Sequence, residues 1–201
     1  MTTDTGHISE LWLTMLQRLA DRTAHEIRNA LNGVAVNLEV VRSRSERGAD
    51  VEALTPFAAS AAAELERVTA QTEALVSLAR PSSSRLDVGL LLGRMRALLG
   101  SAGDSPPLAL ELPPASGRAE TTAGDAARAV LAAALLAAVE RGGAVRCRVA
   151  TNAGATVYIE CEAGGPLSLA DDVGTAVESA GVTTRPTANG ITISFPPAVT
   201  G

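Results

Sequence analysis

The stretch DRTAHEIRNALNGVAVNLEVV, residues Asp21–Val41, sets the reading of the whole N-terminal third of the chain. Around it, apolar residues fall at Leu16, Ala20, Ala24, Ile27, Leu31, Val34, Leu38 and Val41, in steps of four and three, which predicts one long amphipathic helix from Leu11 to about Arg44. The narrow stripe is close to a coiled-coil seam. At about 100° per residue the stripe centres near Ala24, Ile27 and Leu31 and puts His25 roughly 130° away, facing water. Asn29 and Asn32 follow His25 by four and seven residues, and Arg18 and Arg22 precede it, so one exposed face combines cations, an imidazole and amides. Glu26 adjoins His25 and is placed to accept a ring proton, leaving the other nitrogen free as a nucleophile. Periodicity alone favours the plainer reading, a solvated surface histidine.

Working outward, SRSERGAD gathers charged and turn-forming residues, including Gly48 and Asp50, and ends the period. A second helical pattern runs through AAAELERVTAQTEALVSLAR, with Leu65, Val68, Thr72, Leu75 and Leu78 on one side, until Pro81 stops it. Two long helices joined by a short loop form an antiparallel hairpin over residues 1–81. A lone hairpin cannot bury both stripes, so either it dimerises into a four-helix bundle or the helices pack on the C-terminal half of their own chain.

Beyond PSSSR the pattern changes. LDVGLLLGRMRALLG reads as a strand-like start and a helix, and SAGDSPPLALELPPASG as loop, strand, loop. GDAARAVLAAALLAAVERGG is an Ala/Leu helix, capped by Asp125 and stopped by Gly142 and Gly143. AVRCRVA and ATVYIECEA, joined by TNAG, alternate as a hairpin. DDVGTAVESAG is one more short helix and NGITISFPP a last strand. The fold class is α+β: a helical hairpin followed, over residues 86–201, by an α/β sandwich with one helix layer on a mostly antiparallel sheet.

Composition narrows the function. A chain of 201 residues that is 46% hydrophobic supports one or two packed domains. A formal net charge of -5, and Trp12, Phe57, Tyr158 and Phe195 as the whole aromatic complement, argue against a nucleic-acid partner. The N-terminus lacks a basic stretch followed by an apolar run, and no window approaches the length of a membrane span, so a cytoplasmic protein is expected. Cys147 and Cys161 lie in alternating segments outside any metal-ligand spacing and read as buried thiols. His7, in the polar lead, is assigned no role.

HEIRNAL, His25–Leu31, resembles the H box of bacterial sensor histidine kinases, in which the phosphorylated histidine is followed by an acidic residue, an Arg or Lys, an Asn, a Pro and a Leu. Six of the seven positions agree, and Ala30 stands where the family has its proline. The second helix, ending in LVSLARP, is similar to the family's exit into its ATP-binding domain, and the element order from Leu86 to Pro197 fits that domain's layout. The resemblance implies His25 as phosphoacceptor and Glu26 as the neighbouring base, with Glu26 and Asn29 matching an E-x-x-N arrangement that positions water for phosphoaspartate hydrolysis. Arg22, Arg28 and Asn32 are the candidate contacts to a partner, solvated helix charge being the other reading of the arginines.

The nucleotide motifs of that family are eroded. Where its N box places a magnesium-binding asparagine, this chain has Ala133, Ala134, Ala137 and Ala138, and a methyl group cannot ligate a hard cation. In place of Asp-x-Gly-x-Gly stand Glu162, Ala163, Gly164, Gly165 and Pro166, and the lid segment DDVGTAVESAG has no G-x-G. The chain is thus similar to histidine phosphotransferases of the degenerate histidine-kinase type, a class that implies a homodimer, response-regulator receiver domains as partners, no ATP, and no cofactor of its own because the receiver brings the magnesium. Two other readings stay open: an active sensor-type histidine kinase with a divergent ATP site, and a non-enzymatic dimeric module that sequesters a receiver.

Overall fold

A computed structural model describes residues 3–81, 85–100, 108–111, 119–151 and 154–197. Helix α1 spans Thr3–Glu46 and α2 spans Val51–Ala79. The turn between them is tight: Gly48 takes φ +75°, the amide of Ala49 bonds back to Arg44 O at 3.1 Å, and Gly48 N to Ser45 O at 3.0 Å. Only glycine enters that left-handed region without a steric cost. Helix α2 begins ten residues before the pattern from Ala61 onward predicts, and carries Pro56 inside it. The proline forfeits one backbone bond there, which the packing of the remaining turns outweighs. Helix α1 continues unbroken through Ala30, the position of the family's proline.

The two helices pair along their length, but not through the stripe read from the sequence. Ala24 and Leu31 are exposed and Ile27 is only half-buried, whereas Thr23, Ala30 and Val34 are buried towards α2. On α2 the buried positions are Ala61, Gln71, Ala74 and Leu78, while Leu65 and Thr72 are exposed. Small side chains explain the shift. Thr23, Ala30 and Gly33 let the helices approach closely, and a Cβ added at Gly33 would lie 4.0 Å from Glu64 Cγ. The larger leucines are left flanking this seam, with Leu31 45% and Leu38 52% exposed.

The second half is a five-stranded mixed sheet backed by helices. Strands β2 (Leu108–Glu111), β4 (Val145–Thr151), β5 (Ala155–Cys161), β6 (Thr183–Thr187) and β7 (Gly190–Ser194) lie in the order β2-β4-β5-β7-β6. The β2–β4 pair is parallel and the other pairs antiparallel. Two-residue strands β1 (Leu86–Asp87) and β3 (Glu120–Thr121) pair separately. Alternation puts Val145, Cys147, Val149, Val157, Ile159, Ile191 and Ile193 on the buried face, under α3 (Val88–Leu99), α4 (Gly124–Glu140) and α5 (Asp171–Glu178). Cys147 and Cys161 are buried free thiols, and burial pushes Cys147 up to about 12.

Three details depart from expectation. The residue capping α4 is Ala123, without a side-chain bond; Asp125 sits inside the first turn, 3.6 Å from Arg128, where its charge opposes the helix dipole's positive end instead. Strand β6 contains Pro186, which hides it from pattern reading, and an edge strand tolerates the missing donor. Strand β3 is too short to show a period. The expected connection TNAG falls partly on residues 152–153, and the loops around β2 and the PSSSR segment fall on 101–107, 112–118 and 82–84; these lie outside the described residues.

The first half of α1 also packs on the sandwich. Leu11, Trp12, Met15 and Leu19 are buried and join one apolar core with α3, α4 and the sheet, while α2 contributes Ala74 and Leu78 to it. Arg18 Nη2 meets Glu140 Oε1 at 2.6 Å at the far end of α4. The hairpin stem from about Thr23 onward projects from this shared core.

Candidate functional site

His25 is exposed, on the side of α1 away from the α2 seam. Arg28, Asn29 and Asn32 are exposed as well, and their spacings of three, four and seven residues put them on His25's face. The imidazole is therefore flanked by two amides and a guanidinium on a helix that continues for several turns in both directions. Among the described residues the His25 imidazole makes no hydrogen bond.

Glu26 and Arg22 are arranged otherwise. Both are half-buried at the edge of the seam: Glu26 Oε2 accepts a hydrogen bond from Nε2 of Gln71 at 3.0 Å, and Glu26 Oε1 faces Arg22 Nε at 3.4 Å. Gln71 is 1% exposed, the one amide in α2's buried line, so it is a fixed donor reaching across from the second helix. The structure brings Glu26, Arg22 and Gln71 together and joins none of them to His25 by a hydrogen bond among the described residues. Sequence reasoning missed Gln71. Its signal was a spacing of three and seven residues to Ala74 and Leu78, which share its face of α2.

The alanines of α4 face either the core or a cavity shared with α1. Ala134 and Ala138 are fully buried, and Ala133 and Ala137 border a cavity of about 460 Å³ whose opposite wall is Glu10, Leu11, Met15 and Arg18 of α1. Leu11 and Met15 are themselves buried by this packing. The Glu162–Pro166 segment is tied into a structural turn. Glu162 Oε2 accepts the Ala144 amide at 3.0 Å, and Arg141 donates to Gly165 O at 3.1 Å and Pro166 O at 2.6 Å. Gly164 and Gly165 have φ of +73° and +82°, so these glycines serve the turn itself. Among the described residues no group of three or more His, Cys, Asp or Glu is arranged to hold a metal ion, and no helix is long and apolar enough to cross a membrane.

No protein-family model matches the chain, and no curated protein matches its sequence. Among solved structures it is similar to the histidine kinase AdeS of Acinetobacter baumannii, at 15% sequence identity and a TM-score of 0.37, over 87% of this chain and 98% of that one.

Proposed function

We propose that this chain is a histidine phosphotransferase of a two-component phosphorelay, carrying phosphoryl groups between receiver-domain aspartates on His25. The observation that carries the reading is the exposed imidazole of His25 in the HEIRNAL pattern, flanked by Arg28, Asn29 and Asn32 on an uninterrupted helix. A neutral ring nitrogen attacks the phosphorus of a receiver's phosphoaspartate, the P–N bond forms as the P–O bond breaks, and the aspartate carboxylate leaves. The reverse sequence delivers the group to a second receiver. Phosphoryl transfer through a loose transition state needs in-line positioning and charge compensation. The rigid α1 stem supplies the first, and Arg28 with the receiver's own magnesium the second. Asn29, one turn from His25, is placed to hold a peripheral phosphoryl oxygen or a water.

The ATP-dependent alternative finds less support. The alanines of α4 offer no oxygen to magnesium, the α1 segment Leu11–Arg18 lies across that face, and Glu162 is engaged by a backbone amide. The proposed functional unit is a homodimer, because Ala24, Leu31 and Leu38 form an exposed stripe on one helix face beside the α2 seam, with no cover among the described residues.

The test separates the readings in one set of incubations. Purified chain is mixed with labelled ATP and magnesium, or with a receiver charged on its aspartate. The proposal expects label only in the second mixture, and none on His25→Gln. Labelling by ATP alone would establish the kinase reading, and tight receiver binding with no transfer would establish sequestration.

A further inference from the structure

Where the hairpin joins the sandwich, a cavity of about 480 Å³ is lined by Arg80 at the end of α2, Arg85, Asp87, Arg94 of α3, Glu120 and Arg128 of α4. Four guanidiniums thus line one concavity of a protein whose net charge is -5. Two carboxylates share the lining, and Asp87 already spends Oδ1 on the Leu90 amide at 2.9 Å as the cap of α3. Asp125, behind Arg128, stands 3.6 Å from it. Arg80 and Arg94 form no ion pair among the described residues.

Arg128 is the unusual member. It is 4% exposed, its Nη1 donates to the Arg80 carbonyl at 2.8 Å, its guanidinium lies 5.6 Å from the centre of the Trp12 ring, and its Nε is buried without a hydrogen-bond partner. Burial pulls this guanidinium below its ordinary value, Asp125 offsets part of that, and the neighbouring Arg94 lowers it further. Arg94 and Arg128 line the same cavity, and two like charges facing one space lower their energy when an anion lies between them. Guanidinium forks suit phosphate oxygens, through paired N–H donors. The volume falls in the range of small-molecule sites.

We propose that this cavity is a binding site for a small phosphate-bearing anion, held by Arg94 and Arg128 with Arg80 at the rim. The site lies on the opposite side of α4 from the alanine face and touches the last turn of α2, so an occupant would tie the stem to the sandwich. It is independent of His25.

Isothermal titration of the full chain with inorganic phosphate and with glycerol phosphate tests it. One saturable site with a millimolar or tighter Kd is expected, weakened about tenfold or more in Arg94→Gln and unchanged in Arg96→Gln, an exposed arginine of the same helix outside the cavity. His25→Gln binds as the parent does, which separates this result from that of the transfer assay. Tighter binding of inorganic phosphate assigns the free anion as ligand; tighter binding of glycerol phosphate assigns a phosphate monoester. Arg128→Gln is avoided as the first variant because it also removes the bond to Arg80 O. No saturable binding of either probe, or equal loss in Arg94→Gln and Arg96→Gln, would overturn the proposal.

Discussion

Gln71 shows how a single side chain ties the two stem helices together beside the candidate phosphoacceptor. With its amide nitrogen 3.0 Å from Glu26 and almost no exposure, replacement by leucine leaves a half-buried carboxylate short of a donor. Gln71→Leu should cost about 1–3 kcal/mol in urea unfolding. Gln71→Glu should cost more at neutral pH and recover as pH falls: the facing carboxylates raise each other's pKa, so protonating one removes the repulsion. Cys147 yields a second pH prediction. Burial raises its thiol from 9.0 to about 12, so the unfolded chain releases its proton first, and the contribution present below pH 9.0 is lost as pH rises towards 12. The loss amounts to at most about 1.4 kcal/mol per pH unit. Denaturant titrations of Cys147→Ala between those pH values should show a shallower decline than the parent.

At the scale of elements, Ala30 and Gly190 are the sensitive positions. Ala30 is buried against α2 in the middle of α1, and although the resembling family has proline there, Ala30→Pro in this unbroken helix removes a bond and adds a clash. A loss of about 3 kcal/mol or more is expected by thermal or urea unfolding. Gly190 opens β7 opposite Glu160, and an added Cβ would stand 1.8 Å from the Ile159 carbonyl oxygen. Gly190→Ala should therefore fail to give a cooperatively folding sandwich, as judged by calorimetry. Most elements were legible from residues because period and punctuation agreed: α1, the β4–β5 hairpin and α4 are long and strongly patterned. What was hidden has physical reasons. Pro186 disguises an edge strand, β3 is two residues long, and Pro56 masks the start of α2. The exposure of His25 followed from the wheel, whereas the packing seam did not, because small residues decide helix approach and a hydrophobicity stripe gives them little weight. Gln71's partnership with Glu26 depends on the pairing of two helices, which no single-helix pattern encodes.

For the molecule as a whole, two surfaces of α1 divide the work. Its first half is welded to α4 and the sheet through Leu11, Trp12, Met15 and Leu19, and its second half leaves Leu31 and Leu38 uncovered on the projecting stem. The proposed dimer places those leucines in a shared bundle. Leu31→Asp with Leu38→Asp should convert a dimer to a monomer in sedimentation equilibrium while the sandwich keeps its β-sheet circular dichroism. A monomeric parent would remove the bundle from the account.

The central claim is that the His25 ring takes and gives a phosphoryl group. The most direct measurement is to expose the chain to a phosphorylated receiver, isolate it, and map the linkage by its chemical stability and by mass spectrometry of its peptides. The account predicts acid-labile, base-stable phosphate on the peptide containing His25, discharged when an uncharged second receiver is added. Receiver phosphate lost with no phosphohistidine on that peptide, or phosphate found on any other residue, would contradict it.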